Sequence, residues 1–115
     1  MQSIVIKKAK VLEVIDGDTF KAELDLGLGL YYHKQVRVKD LDCPEIYKPK
    51  SDTERVRGVL AKDKAEIFLK QDDITLLIHG VDKYGRILSE VYLANGKNFS
   101  EAMVEEGLGK LKKLK

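Results

Sequence analysis

The stretch Val11-Leu12-Glu13-Val14-Ile15-Asp16-Gly17-Asp18-Thr19-Phe20-Lys21-Ala22-Glu23-Leu24-Asp25-Leu26 decides the fold. Its second half alternates. Phe20, Ala22, Leu24 and Leu26 fall on one face, and Lys21, Glu23 and Asp25 on the other. A period of two over this length is a half-buried strand. Its first half ends a run from Ile4 to Ile15 in which Ile4, Ile6, Val11, Val14 and Ile15 stand among lysines. Such β-branched enrichment predicts another strand, bent near Lys8-Ala9. Asp16-Gly17 between the two is a hairpin signal, because both residues tolerate the positive φ of a tight turn.

Outward from this hairpin, Gly27 and Gly29 mark a flexible bend. Gln35 to Leu41 alternates again, with Val36, Val38 and Leu41 apolar, and Pro44 ends it because proline cannot donate to a ladder. Residues 45 to 51 read as a polar loop. From Asp52 to Lys70 the period becomes helical: Val56, Leu60 and Ile67 share one face, with Val59 and Phe68 beside them, and Ser51 or Asp52 is the N-cap. Ile74–Ile78 is a buried strand, Asp82 to Arg86 a turn, and Ile87–Leu93 a further strand, ended by Asn95-Gly96. Asn98 with Glu101 forms a capping-box pair that opens a short helix through Glu106, and Gly107 suits the position after its end. Five strands, one long helix inserted after the third and one short C-terminal helix make an α+β chain, mainly β. A five-stranded, partly open Greek-key barrel fits the count and the length.

Composition narrows the function. The chain has 115 residues, 43% apolar and 35% charged, with a formal net charge of +2. This is the size of one domain, residues 1–115. The longest runs without a charged residue, such as Leu26–His33, are 8 long, whereas a membrane-spanning helix needs about 20 apolar residues. No apolar leader opens the chain, so the expected location is cytoplasmic or intracellular, unless a removed signal preceded Met1. Cys43 is alone, which excludes an intrachain disulfide and a cysteine zinc cluster, and His33 and His79 are too far apart to form a local metal pair. Both histidines read as loop residues, and Tyr31-Tyr32 as hairpin packing. Chemistry must therefore rest on carboxylates, arginines and hydroxyls.

Three segments carry such groups: Asp16-Gly17-Asp18-Thr19, Arg37 through Asp42-Cys43-Pro44-Glu45, and Asp82-Lys83-Tyr84-Gly85-Arg86. Singly, each could be a turn. Together they offer hard oxygen ligands, suited to Ca²⁺ or Mg²⁺, and two guanidinium groups that fork onto phosphate oxygens. Carboxylates, a divalent ion and two arginines are what phosphodiester hydrolysis requires: a metal clamp, a water activator and positive charge for the transition state.

These three blocks, with Val91 to Lys97 and Asn98 to Leu108 following in order, resemble the staphylococcal nuclease (thermonuclease, micrococcal nuclease) family from about Val11 to Lys110. The resemblance implies an OB-fold barrel. It also implies a Ca²⁺-dependent phosphodiesterase that cleaves DNA and RNA at the P–O5′ bond and leaves 3′-phosphate ends, with single-stranded or frayed substrate preferred, no membrane partner and a monomeric state. By position, Asp18 and Asp42 would bind the ion through carboxylates and Cys43 through its backbone carbonyl. Glu45 would orient or deprotonate the attacking water. Arg37 and Arg86 would hold the scissile phosphate, and Lys83 and Tyr84 would contact a neighbouring one. Asp16 is either outer-shell support or a turn residue. A non-catalytic OB-fold module binding nucleic acid or protein is the alternative. The family's C-terminal tyrosines are replaced here by Lys110-Leu111-Lys112-Lys113-Leu114-Lys115. Lys48, Lys50, Arg55 and Arg57 either guide nucleic acid or form a solvated helix face.

Overall fold

A computed structural model describes residues 3–46 and 49–112. Strands β1 (Ile4–Asp16), β2 (Thr19–Gly27) and β3 (Leu30–Val38) run as an antiparallel meander. After a two-residue strand β4 (Leu41–Asp42) and helix α1 (Asp52–Leu69), strands β5 (Ile74–Val81) and β6 (Ile87–Tyr92) form a second hairpin. Helix α2 (Phe99–Glu105) and a short strand β7 (Lys110–Leu111) follow. β6 lies parallel to β3, and β5 lies antiparallel to β1, so the order β1-β2-β3-β6-β5 closes into a barrel. This is the mainly β OB-type architecture expected, closed rather than partly open, because β1 is long enough to pair with both β2 and β5. The bend expected near Lys8-Ala9 is a register shift between Ile6 and Ala9 where β1 turns from one partner to the other.

Phe20, Ala22 and Leu24 of β2, Val36 and Val38 of β3, Leu76 of β5 and Val91 of β6 fill the barrel. Phe99 and Met103 of α2 plug it. Phe68 of α1 meets the Phe99 ring edge-on at 6.4 Å, a favoured aromatic geometry. The Asn98 side chain accepts from the Glu101 amide. At the other end of α2, the Gly107 and Leu108 amides donate to Val104 and Met103 carbonyls around Gly107 at φ 74°, a Schellman closure.

Several expectations need correction. The third strand starts at Leu30 and ends at Val38, because Asp40, at φ 62°, turns the chain before Leu41. Leu41–Asp42 then pairs with Lys110–Leu111, a two-stranded sheet too short to leave a sequence signal. Gly17 is absent from the positive-φ residues, so conformational freedom is not its purpose. Leu26 leaves the barrel with the β2–β3 hairpin and is exposed, as are Tyr31 and Tyr32. His33 and His79 lie in β3 and β5, hydrogen-bonded to Glu23 and Glu90.

The largest correction concerns α1. Val56, Leu60 and Ile67, the predicted inner face, are 60%, 51% and 55% exposed. The buried row is Gly58, Ala61, Ala65 and Leu69. These also recur at helical spacing, but three of the four are small, and small residues let the helix axis approach the barrel closely.

Candidate active site

Asp18 follows the β1–β2 turn and is nearly buried. Its Oδ2 accepts the Cys43 amide at 2.9 Å, and its Oδ1 accepts the Thr19 hydroxyl at 3.1 Å. The loop after β4 is thereby tied to the start of β2. Arg37, outward-facing near the end of β3, reaches across the same cleft. Its Nη2 donates to Asp42 Oδ1 at 2.9 Å and stands 3.6 Å from Asp18 Oδ2. Its Nη1 donates to the Val38 and Leu41 carbonyls at 2.8 and 2.6 Å. Asp18, Arg37, Asp42 and Cys43, separated by up to 25 positions in sequence, are thus brought into direct contact.

Two close packings hold this arrangement. A Cβ at Gly17 would stand 2.9 Å from Ala61 Cβ and from Cys43 Cβ and Sγ. A Cβ at Gly58 would stand 2.8 Å from the Glu45 carbonyl oxygen. The turn, the loop carrying Cys43 and Glu45, and the small face of α1 therefore meet at van der Waals contact. Glu45 is exposed at the rim of this contact. Burial of Cys43 pushes its thiol up to about 12, so it stays protonated and is no nucleophile.

Asp16 closes β1. Its carboxyl is raised, first by burial, then by the charge of Asp18, with the nearby Ile46 backbone opposing. Its Oδ1 is buried with no hydrogen-bond partner among the described residues.

Arg86 ends the β5–β6 turn, immediately before Ile87, the partner of Val36 on β3. Its Nε donates to Asp82 Oδ2 at 2.7 Å, and its amide and that of Tyr84 donate to Asp82 Oδ1. Asp82 therefore ends below the ordinary carboxylate range: burial raises it, and the hydrogen bonds from Arg86 and Tyr84 outweigh that. Lys83 Nζ and the Arg86 guanidinium each lie 5.2 Å from the centre of the Tyr84 ring. Arg86, Tyr84 and Lys83 thus form a second cluster, in which Arg86 and the Tyr84 amide bond to Asp82 and Lys83 lies against the Tyr84 ring.

Sequence reasoning missed Asp82, Gly58 and Lys112. Asp82 is the Asx anchor of its turn, a role that an Asp before x-Tyr-Gly-Arg signals. Lys112 is 3.6 Å from Asp42 because β7 returns the basic C-terminal stretch to β4, and only the tertiary structure shows that. Lys50, Arg57 and Lys110 line a cleft of 790 Å³ that includes Asp42 and Cys43, and Arg57 donates to the Gly107 carbonyl. Arg55 points to Asp52. Lys48 and Lys113 to Lys115 lie outside the described residues.

The donors here are all hard oxygens: the Asp18 and Asp42 carboxylates that meet at Arg37, the neighbouring Asp16 carboxyl, and the neutral backbone carbonyl of Cys43. Among the described residues no three acidic, histidine or cysteine side chains already converge as a metal cage. The unpartnered Asp16 Oδ1 and the two carboxylates gathered on one guanidinium nonetheless fit a hard divalent cation.

A profile of the family described as Staphylococcal nuclease homologue matches residues 35–115. An uncharacterised protein of Methanocaldococcus jannaschii is 29% identical over 124 aligned positions, covering 89% of this chain and 58% of that protein. A protein of Escherichia coli described as an uncharacterised endonuclease is 30% identical over 100 positions, covering 85% of this chain and 56% of that protein. The chain spans a little over half the length of both relatives. With the closed barrel and the profile match over more than half its length, this chain belongs to the staphylococcal nuclease homologue family.

Proposed function

We propose that this domain is a Ca²⁺-dependent nuclease that hydrolyses the P–O5′ bond of DNA or RNA and leaves 3′-phosphate ends. The observation that carries the reading is the Arg37 guanidinium lying between Asp18 and Asp42. A phosphate and a cation would find their complementary partners there, side by side. The family membership and the relative described as an endonuclease support the same reaction class.

Asp18, Asp42 and the Cys43 carbonyl would hold the ion, with Asp16 behind them. When bound, Ca²⁺ would supply Lewis-acid neutralisation of the phosphate and acidify a bound water. Arg37 would exchange its contact with Asp42 for the scissile phosphate, because the ion then satisfies that carboxylate. Arg86 would leave Asp82 in the same way and add a second guanidinium to the charge that develops at phosphorus. Glu45, at the exposed rim, would accept a proton from the attacking water. Lys83 and Tyr84 would bind an adjacent phosphate of the strand. The unit acting in this reading is a monomer, and its substrate is single-stranded or frayed.

Thermal unfolding with and without Ca²⁺ tests the metal part. An ion at about 100 times its Kd adds about 2.7 kcal/mol of stability. Wild type should melt higher in Ca²⁺, chelator should reverse this, and Asp42→Asn should lose most of the shift. An unchanged wild-type melting temperature at millimolar Ca²⁺ would remove the ion from the account. Tight capture of oligonucleotides with no cleavage in Ca²⁺ would favour the non-catalytic binding module instead.

A further inference from the structure

The β2–β3 hairpin runs on past the barrel. β1 pairs with β2 only as far as Ala9 and Leu24, and β6 pairs with β3 only from Val36 to Val38. Residues 25 to 35 therefore pair only within the hairpin. Its tip is Leu26-Gly27-Leu28-Gly29-Leu30. Leu28 is 100% exposed, and Leu26 and Leu30 are 50% and 59% exposed. Gly27, Leu28 and Gly29 have φ of 85°, 57° and 76° in succession. This left-handed region suits glycine and asparagine and is costly for leucine, and Leu28 buries nothing in this chain to offset the cost. A contiguous exposed apolar patch of this kind marks a contact surface.

Alternation sorts the hairpin into two faces. On β3 the row Leu30, Tyr32 and Lys34 continues into Val36 and Val38, which fill the barrel. Leu24, the partner of Tyr32, and Leu26 share this face on β2. The core row thus runs out of the protein, and read inward from the tip it passes from leucine to tyrosine to lysine. The steps are about 7 Å each, at about 3.3 Å per residue. The opposite face carries Tyr31, His33 and Gln35 in line with Arg37, together with Glu23 and Asp25. Both acids are engaged within the hairpin: Glu23 by His33 at 2.7 Å, and Asp25 by the Gly27 amide at 2.9 Å. At the hairpin's base, Lys7 and Lys8 are exposed and stand on the tip side of Ala9, the partner of Leu24. Lys10, further back, shares a cleft with Asp72 and Asp73. Apolar groups on a bilayer surface sink about 5–10 Å into the headgroup–acyl boundary, tyrosine settles at headgroup level, and lysine meets anionic headgroups. The hairpin presents those three layers in that order.

We infer that the β2–β3 hairpin is a surface anchor that inserts Leu26, Leu28 and Leu30 into an anionic lipid bilayer. Tyr32 settles among the headgroups, and Lys7, Lys8 and Lys34 attract their charge. The face with Glu23 and Asp25 turns away from the lipid. The candidate active site stays in water with it. Arg37 belongs to that outward row, and Asp18 precedes Thr19, which is about 26 Å from Gly27 along β2. A bilayer accounts for a leucine where the backbone favours asparagine, because it takes up the side chain that the protein leaves bare. The inference departs from the expectation of no membrane partner, and it is independent of the nuclease reading.

The test is co-sedimentation of the protein with vesicles of phosphatidylcholine alone and of phosphatidylcholine with one-third phosphatidylglycerol. Wild type should sediment with the anionic vesicles. Leu28→Asn should bind them about tenfold more weakly or worse, since it removes one buried leucine side chain. The same variant should melt no lower than wild type, because asparagine suits the left-handed tip. Lys7→Gln/Lys8→Gln/Lys34→Gln should also lose about tenfold or more on anionic vesicles and bind neutral ones as wild type does. Leu60→Gln, which removes an exposed leucine from α1, should match wild type. The chain has no tryptophan, so Leu28→Trp reports from the tip alone. Its emission should shift to the blue on anionic vesicles and be quenched by lipids brominated on their acyl chains. Wild type that stays in the supernatant with anionic vesicles would overturn the inference. So would wild-type binding by Leu28→Asn, or a Leu28→Trp emission that vesicles leave unchanged. A concentration-dependent dimer that Leu28→Asn abolishes, without vesicle binding, would overturn it in favour of a second copy of the chain.

Discussion

Gly17 and Gly58 show how a single missing methyl group positions chemistry. At Gly58, helix propensity alone predicts that Ala should stabilise α1 by about 1 kcal/mol. The structure reverses the sign, since the new Cβ would meet the Glu45 carbonyl at 2.8 Å. Gly58→Ala should lower the melting temperature and, by moving Glu45, lower kcat more than it raises KM. A stabilised variant with wild-type kcat would show that the loop is free of the helix. Gly17→Ala should be worse, because its Cβ meets Ala61 and Cys43 together at 2.9 Å. Overpacking of this kind costs about 1–3 kcal/mol, and chemical denaturation measures it directly. Arg86→Ala is a contrasting case. The Arg86–Asp82 pair lies in a surface turn, so stability should change little, while loss of a transition-state partner should cut kcat by about 10²–10³.

At the scale of elements, α1 offers the sharpest prediction. Ala65→Leu, on the buried row, should destabilise by about 1–3 kcal/mol through overpacking. Leu60→Gln, on the exposed row, should stay within about 0.5 kcal/mol of wild type despite exchanging a large apolar residue for a polar one. Equal effects at both positions would mean that the helix is rotated from the orientation described. The same helix shows what can be read from the sequence. The strands of the barrel and both helices are legible because period and capping are local properties: Phe20-Ala22-Leu24 alternates, Ser51 caps α1 and Asn98 caps α2. The face that α1 buries is not legible. Hydrophobicity marks Val56, Leu60 and Ile67, whereas the packing is set by how closely small residues allow two backbones to approach. Asp18, Asp42 and Arg37 can be named as a site from their chemistry and order. That Arg37 lies between the two carboxylates depends on the β1–β2 turn, the corner at Asp40 and β7, which no short window of residues encodes.

For the whole molecule, charge is organised by region. The carboxylates of Asp18 and Asp42 meet at Arg37, and Lys50, Arg57 and Lys110 line the adjoining cleft that Asp42 borders. The net charge of +2 therefore says little about the field a polyanion meets. Acid stability follows from a different pair. The hydrogen bond from His79 holds the Glu90 carboxyl below its usual value of 4.5, with burial opposing and the Tyr92 hydroxyl assisting. A carboxyl lowered in the folded state contributes stability above its unfolded value, and that stability is lost as pH falls through the folded one. Stability should thus fall below about pH 4.5, and Glu90→Gln should flatten that limb in denaturation measured from pH 3 to 7. An identical acid limb in the variant would place the sensitive carboxyl elsewhere.

The central claim is that the acidic cleft beside Arg37 is a metal-dependent phosphodiesterase site. The most direct test incubates wild type and Asp42→Asn with a labelled single-stranded oligonucleotide, in Ca²⁺ and in chelator, and determines the ends of the products. Wild type should give 3′-phosphate products in Ca²⁺ and none in chelator, and Asp42→Asn should show a large loss of cleavage. Cleavage that persists in chelator, or at the wild-type rate in Asp42→Asn, would contradict the claim.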